Sequence, residues 1–132
     1  MRIQFHHVAY QCTDFEAGLH FFRDLLGFTV IQSPRRYKER MLCYLQQGSL
    51  IIELYNGKPS KGPLEPYHPI RGGLDHLSFI VEDVQETVKA LSHQGVTVLK
   101  EPFQPPTGVP DQPWVAFIAG PDGQEIELRS GP

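Results

Sequence analysis

Residues 3–11 alternate Ile3, Phe5, His7, Ala9 and Gln11 with His6, Val8 and Tyr10, a period of two that predicts a strand. Beyond it Phe15, Leu19, Phe22 and Leu26 recur at helical spacing. Thr13 or Asp14 is placed to cap that helix, Glu16 to form a capping box on Thr13, and Gly27 to end it. Three further strands are predicted near 28–33, 41–47 and 50–56, the last two joined by the turn Gln47-Gly48-Ser49. The order is βαβββ, and it recurs. A strand near 73–81 leads to a helix capped by Asp83, with Glu86 three residues on, Val84, Val88 and Leu91 along one face, and Gly95 at its end. Strands near 96–99 and 114–119 follow, and Pro121-Asp122-Gly123 turns the chain into the last one.

The two halves repeat in residues as well as in elements. His7-Val8-Ala9-Tyr10 with Asp14 matches His76-Leu77-Ser78-Phe79 with Asp83 at one offset, and the match keeps register from strand into helix. Each copy closes on a strand with a glutamate among aliphatic residues, Ile51-Ile52-Glu53-Leu54-Tyr55 and Glu125-Ile126-Glu127-Leu128-Arg129. The pattern predicts an α+β fold of two βαβββ modules, whose curved, mostly antiparallel sheets form a cup with the helices on the convex face. Module 1 covers about 1–57, a linker about 58–72 and module 2 about 73–130, within a single domain of 132 residues.

Strand parity puts Ile52, Leu54, Ile126 and Leu128 towards the helices and His7, Glu53, His76 and Glu127 away from them. A carboxylate among aliphatic residues calls for a cation, a hydrogen-bond partner or solvent, because burying it alone costs several kcal/mol. Either glutamate on a solvated sheet face is the plainer reading; the duplicated His and Glu argue for a divalent metal. Two imidazoles and two carboxylates suit zinc, nickel, cobalt, manganese or iron(II) and leave positions for exogenous ligands. Parity turns His6, the rival of His7, towards the helix. His20, His68 and His93 lack partners at ligand spacing.

Composition narrows the partners. A net charge of −3 offers no footprint for nucleic acid, and 40% apolar content suits an ordinary globular core. Two cysteines, Cys12 and Cys43, make no disulfide framework. No stretch approaches the ~20 apolar residues of a membrane span, and the N-terminus does not resemble a signal peptide, so a cytoplasmic location is expected.

The chain is similar to the vicinal oxygen chelate superfamily, which includes glyoxalases, bleomycin-resistance proteins and dioxygenases. It most resembles the glyoxalase I, or lactoylglutathione lyase, branch. The residues that carry the resemblance are His7-Val8-Ala9, Phe21-Phe22-Arg23-Asp24-Leu25-Leu26-Gly27-Phe28, Ile52-Glu53-Leu54-Tyr55-Asn56, Asp75-His76-Leu77-Ser78-Phe79 and Pro121-Asp122-Gly123-Gln124-Glu125-Ile126-Glu127-Leu128. The resemblance implies that His7, Glu53, His76 and Glu127 ligate one divalent metal. It implies a metal-dependent lyase or isomerase that moves a proton through an enediolate on a small α-oxo compound or its thiol adduct. Glu127 is favoured as the base, with Glu53 as the alternate.

The resemblance also implies a homodimer, and glutathione as a possible thiol cosubstrate; Gln11 stands where glutathione-dependent members have an arginine. Two alternatives remain: an acyl-CoA epimerase of the methylmalonyl-CoA type, against which Glu53 argues, and a non-enzymatic small-molecule binding or resistance protein. Arg35 to Arg40 reads either as a solvated charged hairpin or as a grip for an anionic substrate, and Arg71 and Arg129 are further cations to consider. The proline-rich run from Pro102 to Trp114 reads as a lid or as a stiffened surface crossover, with Trp114 packing at the start of a strand.

Overall fold

The computed structural model describes residues 1–57, 74–106 and 111–131, and the chain divides into two units, Met1–Pro69 and Ile70–Pro132. The predicted linker, His68 and Arg71 lie outside the described residues.

In the first unit β1 (Val8–Cys12), β2 (Thr29–Tyr37), β3 (Arg40–Gln47) and β4 (Leu50–Asn56) form one sheet in the order β1-β4-β3-β2. In the second, β5 (Leu77–Ile80), β6 (Val98–Phe103), β7 (Val115–Ala119) and β8 (Glu125–Arg129) form another in the order β5-β8-β7-β6. The α+β class holds. Each sheet is mixed: β1 runs parallel to β4 and β5 parallel to β8, and the remaining pairs are antiparallel. A helix separates the first two strands of each unit, α1 (Phe15–Leu19) and α2 (Val84–His93). Among the described residues no helix is long and apolar enough to cross a membrane.

Both helices start as their residues dictate. The Asp14 carboxylate accepts from the Ala17 N–H at 3.1 Å and the Asp83 carboxylate from the Glu86 N–H at 3.0 Å, each satisfying an amide that the helix itself leaves unpaired. Asp14, not Thr13, is therefore the cap of α1. From His20 to Leu25 that helix widens into a π turn, which the apolar spacing does not foretell. Wider winding turns two adjacent rings inward, and Phe21 and Phe22 are both buried while Leu26 is partly exposed. Phe22 meets Tyr10, Phe21 and Phe28 edge to face at 4.9, 5.2 and 5.5 Å. Gly27 then reverses the chain at φ +76°, a conformation that costs other residues more.

Packing of α1 on the sheet depends on a missing side chain. A Cβ at Gly18 would stand 2.5 Å from Cys12 Sγ and 3.3 Å from Leu54 Cδ1, both in the buried core. Gly18→Ala is expected to lower stability by about 1–3 kcal/mol through overpacking, read as a shift of the denaturant midpoint. Unchanged stability would mean that α1 moves off the sheet at no cost. Cys43 lies in the same core, where burial pushes its thiol up to about 11.

Several predicted boundaries need correction. The first strand begins at Val8 rather than residue 3, because the ladder to β4 begins with Val8 opposite Ile52; Ile3 and Phe5 are exposed. Likewise β5 begins at Leu77, not 73. Conversely β2 runs on through Pro34 to Tyr37, and β6 starts at Val98 and runs through Pro102 to Phe103. Both are edge strands, and their registers shift between Gln32 and Arg35 and between Lys100 and Phe103. An edge strand with a bulge tolerates the N–H that proline lacks.

Candidate metal centre

Within the first unit the β1–β4 register puts Ala9 beside Glu53 and Val8 beside Ile52. Ile52 and Leu54 are fully buried on the side that meets α1, so Glu53 projects from the other side by the two-residue period. His7, the residue just before β1, reaches the same side: its Nε2 lies 3.7 Å from Glu53 Oε2. Its Nδ1 lies 2.7 Å from His6 Nδ1, an arrangement in which one ring donates and the other accepts. His6 therefore stands beside His7 and is not turned to the helix by strand parity, because the strand has not yet begun at residue 6.

Glu53 is buried, with 9% of its surface exposed, and is held by neighbours on its own face. Burial pushes its carboxyl up, but hydrogen bonds from the Tyr44 and Tyr55 hydroxyls and the charges of His7 and Arg35 outweigh that and hold it below the ordinary glutamate value. The Tyr44 hydroxyl donates to Glu53 Oε2 and, being bound to a carboxylate, is pushed up to about 12. Glu53 is thus an anion at neutral pH.

The second unit repeats the construction. Ser78 lies opposite Glu127 on the β5–β8 ladder, Ile126 and Leu128 fill the core, and His76, just before β5, brings its Nε2 to 3.2 Å from Glu127 Oε2. Asp75 Oδ2 lies 2.6 Å from His76 Nδ1 and raises the His76 pKa above its ordinary value, burial opposing and Glu127 assisting. A carboxylate on Nδ1 fixes the tautomer that leaves Nε2 for a ligand, as outer carboxylates of metal-bound histidines do. Asp75, His76 and Glu125 can also each bring one ligand atom within 4.8 Å of the others, although all three are exposed.

The four predicted ligands therefore form two pairs, each within one unit. Two N/O ligands held at ~2.0–2.2 Å on one ion stand roughly 3–3.5 Å apart. The separation of 3.2 Å in the second unit falls in that range, and 3.7 Å in the first is slightly wider. In each pair an imidazole nitrogen beside a carboxylate oxygen is an N/O donor set that suits a divalent cation.

Several other charged residues have partners of their own. Arg40 lies over the Tyr55 ring at 3.9 Å, donates through Nε to the Asn56 carbonyl at 3.0 Å and through Nη2 to Gln11 Oε1 at 3.2 Å. Arg35 to Arg40 is indeed a hairpin end, Tyr37 pairing with Arg40. His20 meets Asp24 at 2.9 Å, and Arg129 donates to the Gly131 carbonyl at 3.0 Å. Trp114 stands just before β7, its N–H donating to Ser130 Oγ at 2.9 Å, and borders a groove between α2 and β6 with Val88, Lys89, His93 and Pro102. Part of the proposed lid, residues 107–110, lies outside the described residues. Pro102 itself belongs to β6.

The chain belongs to the glyoxalase/bleomycin resistance protein/dioxygenase superfamily, whose model matches residues 4–128. Among its relatives, the uncharacterized protein YwkD of Bacillus subtilis is 32% identical over 127 residues, covering 93% of both chains. A Synechocystis protein described as "Probable lactoylglutathione lyase" is 27% identical over 128 residues, covering 92% of this chain and 91% of its own. The glyoxalase family protein of Enterococcus faecalis shares the fold at a TM-score of 0.77 and 27% identity, over 96% of this chain and 97% of that one.

Tyr44 and Tyr55 are missing from the residues that sequence singles out for the site. The turn at Gln47-Gly48-Ser49 holds the signal that finds Tyr44: folding β3 back on β4 across that turn sets Tyr44 opposite Glu53.

Proposed function

We propose that this protein is a metal-dependent lyase or isomerase of the glyoxalase I type, which moves a proton between neighbouring carbons of a small α-oxo compound or of its thiol adduct. The observation that carries this reading is the pairing of one histidine Nε2 with one glutamate in each unit, at 3.7 and 3.2 Å. In this reading His7, Glu53, His76 and Glu127 would hold one divalent ion. When bound, such an ion acts as a Lewis acid that polarises adjacent substrate oxygens and makes the neighbouring C–H more acidic. Glu127 takes that proton and returns it to the next carbon, and Glu53 stays in place as a bound anion. Asp75 keeps His76 oriented.

A thiol adduct with a carboxylate, such as one of glutathione, finds a cation in Arg40, whose guanidinium is held beside Gln11. The name of the Synechocystis relative supports that substrate class. The assembly is taken to be a homodimer, and because each chain carries one copy of each pair, the metal count is one per chain however the chains are arranged.

Metal analysis of the purified full chain tests the reading: about one divalent ion per chain is expected. Incubation in deuterated water with a 2-oxoaldehyde and glutathione should then show metal-dependent exchange of the substrate proton by NMR. Protein that carries no stoichiometric metal and binds small molecules equally well in chelator would instead be a metal-free binding protein.

A further inference from the structure

The two half-sites share one plan but differ in the hydroxyl groups beside their glutamates. In the first, Tyr44 lies opposite Glu53 on the β3–β4 ladder and its ring meets His7 edge to face at 5.7 Å. In the second, Phe117 lies opposite Glu127 on the β7–β8 ladder and its ring meets His76 edge to face at 5.3 Å. The same ring thus walls the same histidine in both units. Only Tyr44 has an oxygen, and it donates to Glu53 Oε2. Two residues beyond each glutamate the residues differ again: Tyr55 follows Glu53 on its strand, whereas the matching Arg129 turns its guanidinium to the Gly131 carbonyl.

A hydrogen bond to a carboxylate is roughly twice as strong as a neutral one, and a carboxylate tied to a hydroxyl of its own sheet loses freedom to rotate. Glu53 has that restraint; Glu127 is held at 3.2 Å by His76 alone among its described hydrogen bonds. We infer that Tyr44 is a positioning residue, which anchors Glu53 as the immobile carboxylate of the ligand set and so leaves Glu127 as the one free to swing. The inference rests on the metal reading above. It assigns the different tasks of two duplicated glutamates to the presence of a ring hydroxyl in one module and its absence in the other.

The test is a double-mutant cycle on the Co²⁺ dissociation constant of the full chain, measured by competition with a chromophoric chelator. Tyr44→Phe keeps the ring against His7 and removes only the hydroxyl. It should weaken Co²⁺ binding about tenfold in the natural sequence and in Glu127→Gln, but less than about twofold in Glu53→Gln, where there is no charge left to anchor. A tyrosine that merely supports the fold would weaken all three backgrounds alike, and that result overturns the inference. Phe117→Tyr gives a second, independent arm. It adds the missing hydroxyl opposite Glu127, and Glu127→Gln should then cost several-fold more Co²⁺ affinity than it does beside phenylalanine; an unchanged cost overturns the inference even if Tyr44→Phe does not fold. If the natural chain binds no Co²⁺, the metal reading and this inference fall together. If it binds Co²⁺ and the cycle is additive, only the role of Tyr44 falls.

Discussion

Glu127→Gln is expected to lower turnover by about 10²–10⁴-fold, the usual contribution of a positioned general base, while the metal stays bound. The amide keeps the size of the side chain and an oxygen for the metal, but it cannot accept the substrate proton at neutral pH. His7, Glu53 and His76 remain, and Glu53 is the better anchored of the two carboxylates, with the Tyr44 hydroxyl donating to it. The variant should therefore separate metal content from turnover. Metal analysis and proton exchange measured on the same preparation would show this, and full exchange in metal-replete Glu127→Gln would remove Glu127 from the base role. Glu53→Gln should behave differently and weaken metal binding along with activity.

His76→Ala is expected to weaken metal binding by more than about 100-fold, because it deletes a proposed ligand and also strands the carboxylate that orients it. Asp75 Oδ2 sits 2.6 Å from His76 Nδ1, and Glu127 Oε2 3.2 Å from Nε2, so this one ring connects an outer carboxylate to an inner one. Asp75→Asn should be milder, about 10–100-fold, the range in which loss of an outer partner usually falls. Competition with a chelator of known affinity orders the three proteins. If His76→Ala bound metal as well as the natural chain, His76 would not be a ligand.

Much of this was legible in residues and some was not, for physical reasons. Asp83 and Gly95 announce α2, and alternation sets Glu53 and Glu127 on the face opposite their buried aliphatic neighbours, because capping and strand parity are local properties. Pro34 and Pro102 argue for strand ends but lie inside strands, since whether a proline is tolerated depends on the strand being at an edge, which its own sequence does not record. The π turn at His20–Leu25 arises from fitting Phe21 and Phe22 into one core, a tertiary demand that overrides helical period. Tyr44 escapes notice because its importance lies in what stands across the ladder. Once register is known, the comparison with Phe117 follows.

The parallel pairing of β1 with β4, and of β5 with β8, has a kinetic side. In each unit the histidine precedes the first strand and the glutamate lies on the last, so the pair meets only after the intervening helix and antiparallel hairpins have closed a long loop. Contacts between residues so far apart in sequence carry the larger entropic cost of closure and form late in folding. On the proposed metal reading, capture would be deferred to a chain whose modules are already built, and an ion added during refolding would report completion of the modules rather than guide it.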